Sequence, residues 1–153
     1  MDWLELKIPP VGQLLLHGGA IWSLARIDPG GRWTTPMHAG IAALFAAAAL
    51  VLGLAAVVQF RTARTTVDPR SPDGATVVVS DGVYRWSRNP MYLALLLGLA
   101  GWAIYLAHPG GALLLPTFVL YMNRFQILPE ERTLREKFGA PYEEYVSSVR
   151  RWL

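Results

Sequence analysis

The chain has 153 residues, of which 53% are hydrophobic and only 16% charged, against roughly 25% charged in an average soluble domain. That deficit points to lipid, and the absence of cysteine excludes disulfides, thiolate nucleophiles and Cys-based zinc sites. The net charge of +3 does not describe a nucleic-acid surface, because the basic residues flank hydrophobic runs instead of forming one patch; a membrane surface accounts for them better.

No repeat period is visible, so residues 1–153 read as a single membrane domain. The opening MDWLELKIPP has acids and an early Pro-Pro where a signal peptide would carry a basic stretch and an apolar core. No cleavable leader is expected, and the first apolar segment should persist. Four apolar segments follow, at about Pro10 to Ile27, Ala39 to Phe60, Pro90 to Ala107 and Gly110 to Leu128. The second, AGIAALFAAAALVLGLAAVVQF, carries no charge over the roughly 20 residues that a bilayer requires. The first is short and holds Gln13, His17 and Gly18-Gly19. The third and fourth are joined by His108 to Gly111 alone, which forces an antiparallel hairpin; Gly98, Ala100, Gly101 and Gly110 suit close helix approach. The expected fold is all-α and polytopic, with about four transmembrane helices: two in residues 1–60 and a hairpin in residues 90–128.

Residues 61–89 form a loop rich in turn formers, among them Pro69, Pro72, Asp73-Gly74 and Asp81-Gly82. Its ATVVVS run is β-prone, but an open strand cannot face lipid, so the run belongs at most at the interface. In residues 129–153 the character changes to PEERTLREKFGAPYEEYVSSVRRWL. Pro129 suits a first helical position, Glu130 and Glu131 suit the first turn, and Gly139 suits a helix end. A second amphipathic helix restarts at Pro141, with Tyr142, Tyr145, Val146 and Val149 on one face, and Trp152 suits a headgroup boundary. With four spans, Lys7, Arg61, Arg64, Arg70, Arg85, Arg88, Arg124, Arg132, Arg135, Lys137, Arg150 and Arg151 share one side and only Arg26 and Arg32 the other. The positive-inside rule then makes the N-terminus, the loop and the tail cytoplasmic.

The hairpin brings together two polar clusters, YRWSRNPMY entering the third segment and NRFQILPEERTL leaving the fourth. Arg88-Asn89-Pro90-Met91-Tyr92, a glycine-containing apolar hairpin, Glu130-Glu131, Leu134, Phe138-Gly139, Tyr142, Tyr145 and the closing Val149-Arg150-Arg151-Trp152 resemble the isoprenylcysteine carboxyl methyltransferase family and the related phospholipid N-methyltransferases. The resemblance covers about Thr65 to Leu153. It implies an integral membrane enzyme of the inner or plasma membrane that uses S-adenosylmethionine, with the cofactor between the cytoplasmic ends of the hairpin and the tail closing the pocket.

Carried over residue by residue, the cofactor contacts fall on Arg88, Asn89, Pro90, Tyr92, Gly98, Gly101, Glu130, Glu131, Phe138 and Tyr142, and the catalytic positions on Arg88, Asn89 and Arg124. Carboxylates suit the ribose diol and ammonium of the cofactor, Arg88 and Asn89 its carboxylate, and the aromatic residues its adenine. Eukaryotic relatives carry histidine where this chain has Asn89, and an amide does not titrate, so Asn89 is no general base. Methyl transfer from a sulfonium to a carboxylate or thiolate depends mainly on alignment. Arg85 reads as a juxtamembrane anchor, and His17 and His38 as packed or interfacial residues; no metal site is expected. The implied acceptor is lipophilic, an isoprenylcysteine-like carboxylate or a phospholipid amine, and membrane lipids are the expected surroundings. The alternatives are a small-thiol methyltransferase and a non-enzymatic membrane assembly or transport subunit. Oligomeric state has no signature in the sequence.

Overall fold

A computed structural model describes residues 2–28, 31–33, 35–63 and 74–153. The loop prolines Pro69 and Pro72, Asp73 and the basic residues Arg64 and Arg70 lie outside the described residues. Six α-helices make up the described fold: α1 (Pro10–Ile27), α2 (His38–Thr62), α3 (Pro90–Leu106), α4 (Pro109–Tyr121), α5 (Leu128–Phe138) and α6 (Ala140–Ser148). No strand occurs among the described residues; the Ala75–Ser80 stretch is irregular, and Val78 and Val79 pack against buried tyrosines.

Prolines without an N–H to satisfy start α1, α3 and α4. Of the described helices, α2 alone is long and apolar enough to cross a bilayer; at 1.5 Å per residue its 25 residues reach ~37 Å. Helix α3 is as apolar but has 17 residues. The turn between α3 and α4 is as tight as the sequence requires: Ala107 takes the left-handed conformation, and the His108 ring accepts the Gly110 N–H at 3.2 Å to cap α4.

The boundary expected at Leu128 is different. The run from α4 into α5 is continuous through a π-helical turn at Met122–Ile127, and the Leu128 N–H bonds back to the Asn123 carbonyl. The wider turn returns the chain to α register at Pro129, where there is no N–H to place. Gly139, at φ 57°, then breaks α5 from α6.

Helix α3 is the centre. Helices α1, α2 and α4 all pack against it, and α1 also packs on α4, whereas α1 and α2 do not form an extensive contact with each other. A Cβ on Gly101 would meet the Ala42 carbonyl and the Phe45 Cβ at 3.1 Å, so this glycine brings the backbones of α2 and α3 together. One core gathers Ile21, Leu99, Phe118, Met122 and Ile127, with Trp152 packed against it. The Trp152 indole N–H donates to Asn123 Oδ1 at 3.0 Å. The Trp152 side chain thus docks on the protein, where the π-helical turn presents an amide to its N–H.

Candidate functional site

The Arg88-Asn89-Pro90 stretch lies where α3 begins, and the tail folds back over it. The Arg88 N–H donates to the Arg150 carbonyl at 2.9 Å, and the Asn89 amide to the Arg151 carbonyl at 3.0 Å. The Arg88 guanidinium donates to the carbonyls of Val146 and Val149 at 3.1 and 2.5 Å, and to Glu131 Oε1 at 3.0 Å. Arg151 completes the cage with a two-point contact on Glu131 at 3.0 and 2.8 Å. The last carbonyls of α6 are orphan acceptors at a helix end, so one buried arginine meets both them and a carboxylate.

Glu130 faces the other way. Its Oε1 accepts the Tyr92 hydroxyl and the Gln126 amide, each at 2.5 Å. Gln126 sits four residues upstream across the π-helical turn. Burial raises the Glu130 carboxyl to about 7, against the lowering effect of those two hydrogen bonds, and the nearby Glu131 charge adds to the rise. For Glu131, burial also opposes ionisation, but the hydrogen bonds and charges of Arg151 and Arg88 outweigh it and hold the carboxyl below its ordinary range. Tyr142, at the edge of the site, is pushed up to about 12, mainly by burial.

These groups wall one end of a cavity of about 970 Å³. Arg88, Asn89, Tyr92, Glu130 and Glu131 line its polar end, with Tyr84, Tyr142 and Tyr145 beside them. Its other end is aliphatic, between Leu14 of α1, Leu50, Leu54 and Val58 of α2, and Leu95 of α3. It exists because α1 and α2 both lean on α3 and leave a cleft between themselves.

The structure thus brings Arg88, Asn89, Tyr92, Gly98, Glu130, Glu131 and Tyr142 to one cavity wall. Pro90 is buried at the start of α3. Three expected site residues lie elsewhere: Gly101 faces α2, Phe138 packs behind the wall with the tyrosines, and Arg124 pairs with Glu5 at 2.5 Å. Glu5 also binds Arg132, and the Leu6 N–H bonds to the Phe125 carbonyl at 3.0 Å, which ties the N-terminal segment to the π-helical turn. Arg124, a catalytic position implied by the resemblance, is turned towards Glu5 in the π-helical turn. Arg85 pairs with Asp81 in solvent-exposed surroundings. Sequence reasoning did not single out Gln126, Tyr84 or Tyr145 as site residues, nor Arg151 as the partner of Glu131. The four-residue spacing of Gln126 and Glu130 was a usable signal only on an unbroken helix.

Residues 41–141 match the phospholipid methyltransferase family. An uncharacterized protein of Haemophilus influenzae is 46% identical over 63 residues, 41% of this chain and the whole of that relative. The protein-S-isoprenylcysteine O-methyltransferase of Saccharomyces cerevisiae is 38% identical over 76 residues, 48% of this chain and 30% of the yeast protein. A probable protein-S-isoprenylcysteine O-methyltransferase of Oryza sativa is 37% identical over 75 residues, 47% of this chain and 38% of the rice protein. The chain therefore matches about a third of the length of these two enzymes. No solved structure matches.

Proposed function

From the chain's membership of the phospholipid methyltransferase family, we propose that it transfers a methyl group from S-adenosylmethionine to a lipophilic acceptor, an isoprenylcysteine-like carboxylate or a phospholipid amine, at the cytoplasmic face of a membrane. The observation that carries this reading is one cavity with two characters: a carboxylate, amide and tyrosine end joined to an aliphatic cleft between helices. A polar donor and an apolar acceptor meet naturally where those two ends join.

The residues at the polar end fit the cofactor. Glu130 has hydrogen-bond partners that are neutral, Tyr92 and Gln126, so its carboxylate suits the ribose hydroxyls or the ammonium. Tyr84, Tyr142 and Tyr145 offer aromatic surface for adenine. The Arg88 Nε is buried with no hydrogen-bond partner among the described residues, and a carboxylate would satisfy it. When bound, S-adenosylmethionine supplies an electrophilic methyl on a sulfonium. The chain's own contribution is to hold the tail shut through Arg88, Asn89 and Arg151, to fix Glu130, and to exclude water with the aliphatic walls. Glu131, caged by two arginines, positions the tail and leaves the ligand to Glu130.

In this reading α1, α2, α3 and the run from α4 through the π-helical turn all cross the membrane, with both termini on the basic, cytoplasmic side. The acceptor enters sideways through the cleft between α1 and α2, since a soluble acceptor would need a polar channel. Calorimetric titration of the purified protein with S-adenosylhomocysteine tests the cofactor site, and heat-silent titration would favour a non-enzymatic membrane subunit. Methyl transfer to S-alkyl thiol acids and phosphatidylethanolamines of graded length tests the acceptor. Best turnover with the shortest acceptor would replace this reading with a small-thiol methyltransferase.

A further inference from the structure

Resting on the methyltransferase reading, we propose that the hydrocarbon tail of the acceptor leaves the main cavity beside Gly98 and lies in a second groove between α1 and α3, where Trp22 and Trp102 set the tail length that is accepted. This groove has a volume of about 450 Å³ and is lined by Leu15, Gly18, Gly19 and Trp22 of α1 and by Leu99 and Trp102 of α3. Leu14 and Gly98 wall both the groove and the main cavity, so the two spaces share an apolar border.

The shape of the groove follows from what is missing. A Cβ on Gly18 would find its nearest neighbour, Leu99 of α3, at 3.9 Å, and one on Gly19 would find nothing within 4 Å. Unlike Gly101, these two are not required for helix approach, and glycine in a helix is costly relative to alanine; their effect is to keep the groove open. The Trp102 indole N–H donates to the Gly18 carbonyl at 3.1 Å, and the ring stacks on Tyr105 at 5.8 Å between centroids. That donor is satisfied, and the lining is mainly aliphatic and aromatic, with the Arg26 guanidinium over the Trp22 ring at 5.3 Å.

The occupant follows from continuity. A head group beside Tyr92 and Glu130 places its tail at Gly98, and the groove then leads along α3 to Trp102. Ten residues separate Tyr92 from Trp102, a reach of ~15 Å at the helical rise. A single extended tail fits this track, and Trp102 closes it.

The test is a methyl-transfer series in nanodiscs with S-alkyl thiol acids from S-butyl to S-octadecyl, alongside calorimetric binding of S-adenosylhomocysteine. In the wild type, kcat/KM rises with tail length until the tail reaches the tryptophans. Gly18→Leu fills the groove, and kcat/KM for the long tails then falls by about tenfold or more, while the short tails and S-adenosylhomocysteine affinity are unchanged. Trp102→Ala moves the optimum the other way, to longer tails, and so decides the matter independently if Gly18→Leu does not fold. An unchanged length profile in whichever variant binds S-adenosylhomocysteine normally overturns the groove and leaves the methyltransferase reading standing. A wild type that binds no S-adenosylhomocysteine overturns the methyltransferase reading itself, and the groove's role falls with it.

Discussion

The two neighbouring carboxylates of α5 divide the site into a tail face and a cavity face. On the tail face Glu131 is 3% exposed and accepts hydrogen bonds from two guanidinium groups, with a third, that of Arg135, at 3.8 Å. On the cavity face Glu130 meets a phenol and an amide. Both lose water, yet one is held ionised and the other is lifted to about 7. Burial penalises both charges, and only a cation within reach reverses the penalty. The tail face is thus a structural lock and the cavity face a site able to change its charge near neutrality.

The largest expected effect comes from breaking the lock. Glu131→Ala leaves Arg88, with 11% of its side chain exposed, without its carboxylate. Removing one partner of a buried pair costs about 3 kcal/mol or more, and thermal unfolding in detergent should show it; an unaltered melting temperature would dissolve the distinction between the faces. Glu130→Gln keeps a similar shape on the cavity side, so the fold should hold while S-adenosylhomocysteine binding weakens about tenfold, one charge-assisted hydrogen bond of ~1.5 kcal/mol. Equal binding would return Glu130 to a helix-start role.

The pH dependence sharpens the same contrast. A ligand that donates to Glu130 favours its ionised form, so wild-type binding should tighten as pH rises towards about 7 and level off above it, by at most about tenfold per pH unit, while Glu130→Gln stays flat over that range. The linked stabilities have opposite signs. Glu131, lowered from 4.5, stabilises the fold above 4.5 and loses that contribution as pH falls through its folded value. Glu130, raised from 4.5 to about 7, favours the fold most fully below 4.5 and loses that contribution as pH rises through 7. The smallest effect belongs to Arg85→Ala. Its pair with Asp81 is exposed on both sides, so stability and binding should change by less than ~0.5 kcal/mol; a larger loss would extend the site beyond the tail face.

By itself the sequence determined the helices and much of the cavity wall. Apolar runs bounded by proline and glycine specify α1, α2 and α3 almost to the residue, because these signals act locally through the backbone N–H and through φ. The four-residue link at His108 specified the hairpin by length alone. The polar clusters it joins supplied Arg88, Asn89, Tyr92, Glu130 and Glu131 to one wall, and the tail added Tyr142. What the sequence left open depends on which way a helix is turned. Pro129 reads as a new start, yet the π-helical turn carries the chain through it and decides that Gln126 and Glu130 meet while Arg124 reaches Glu5. Gly98 and Gly101 look alike in the sequence; only the packing of α3 gives the first to a cavity and the second to α2. Arg151 and Glu131, twenty residues apart, come together only because the tail folds back on α3. Such pairings have no local signature, since they are fixed by burial of the chain as a whole rather than by the preferences of neighbouring residues.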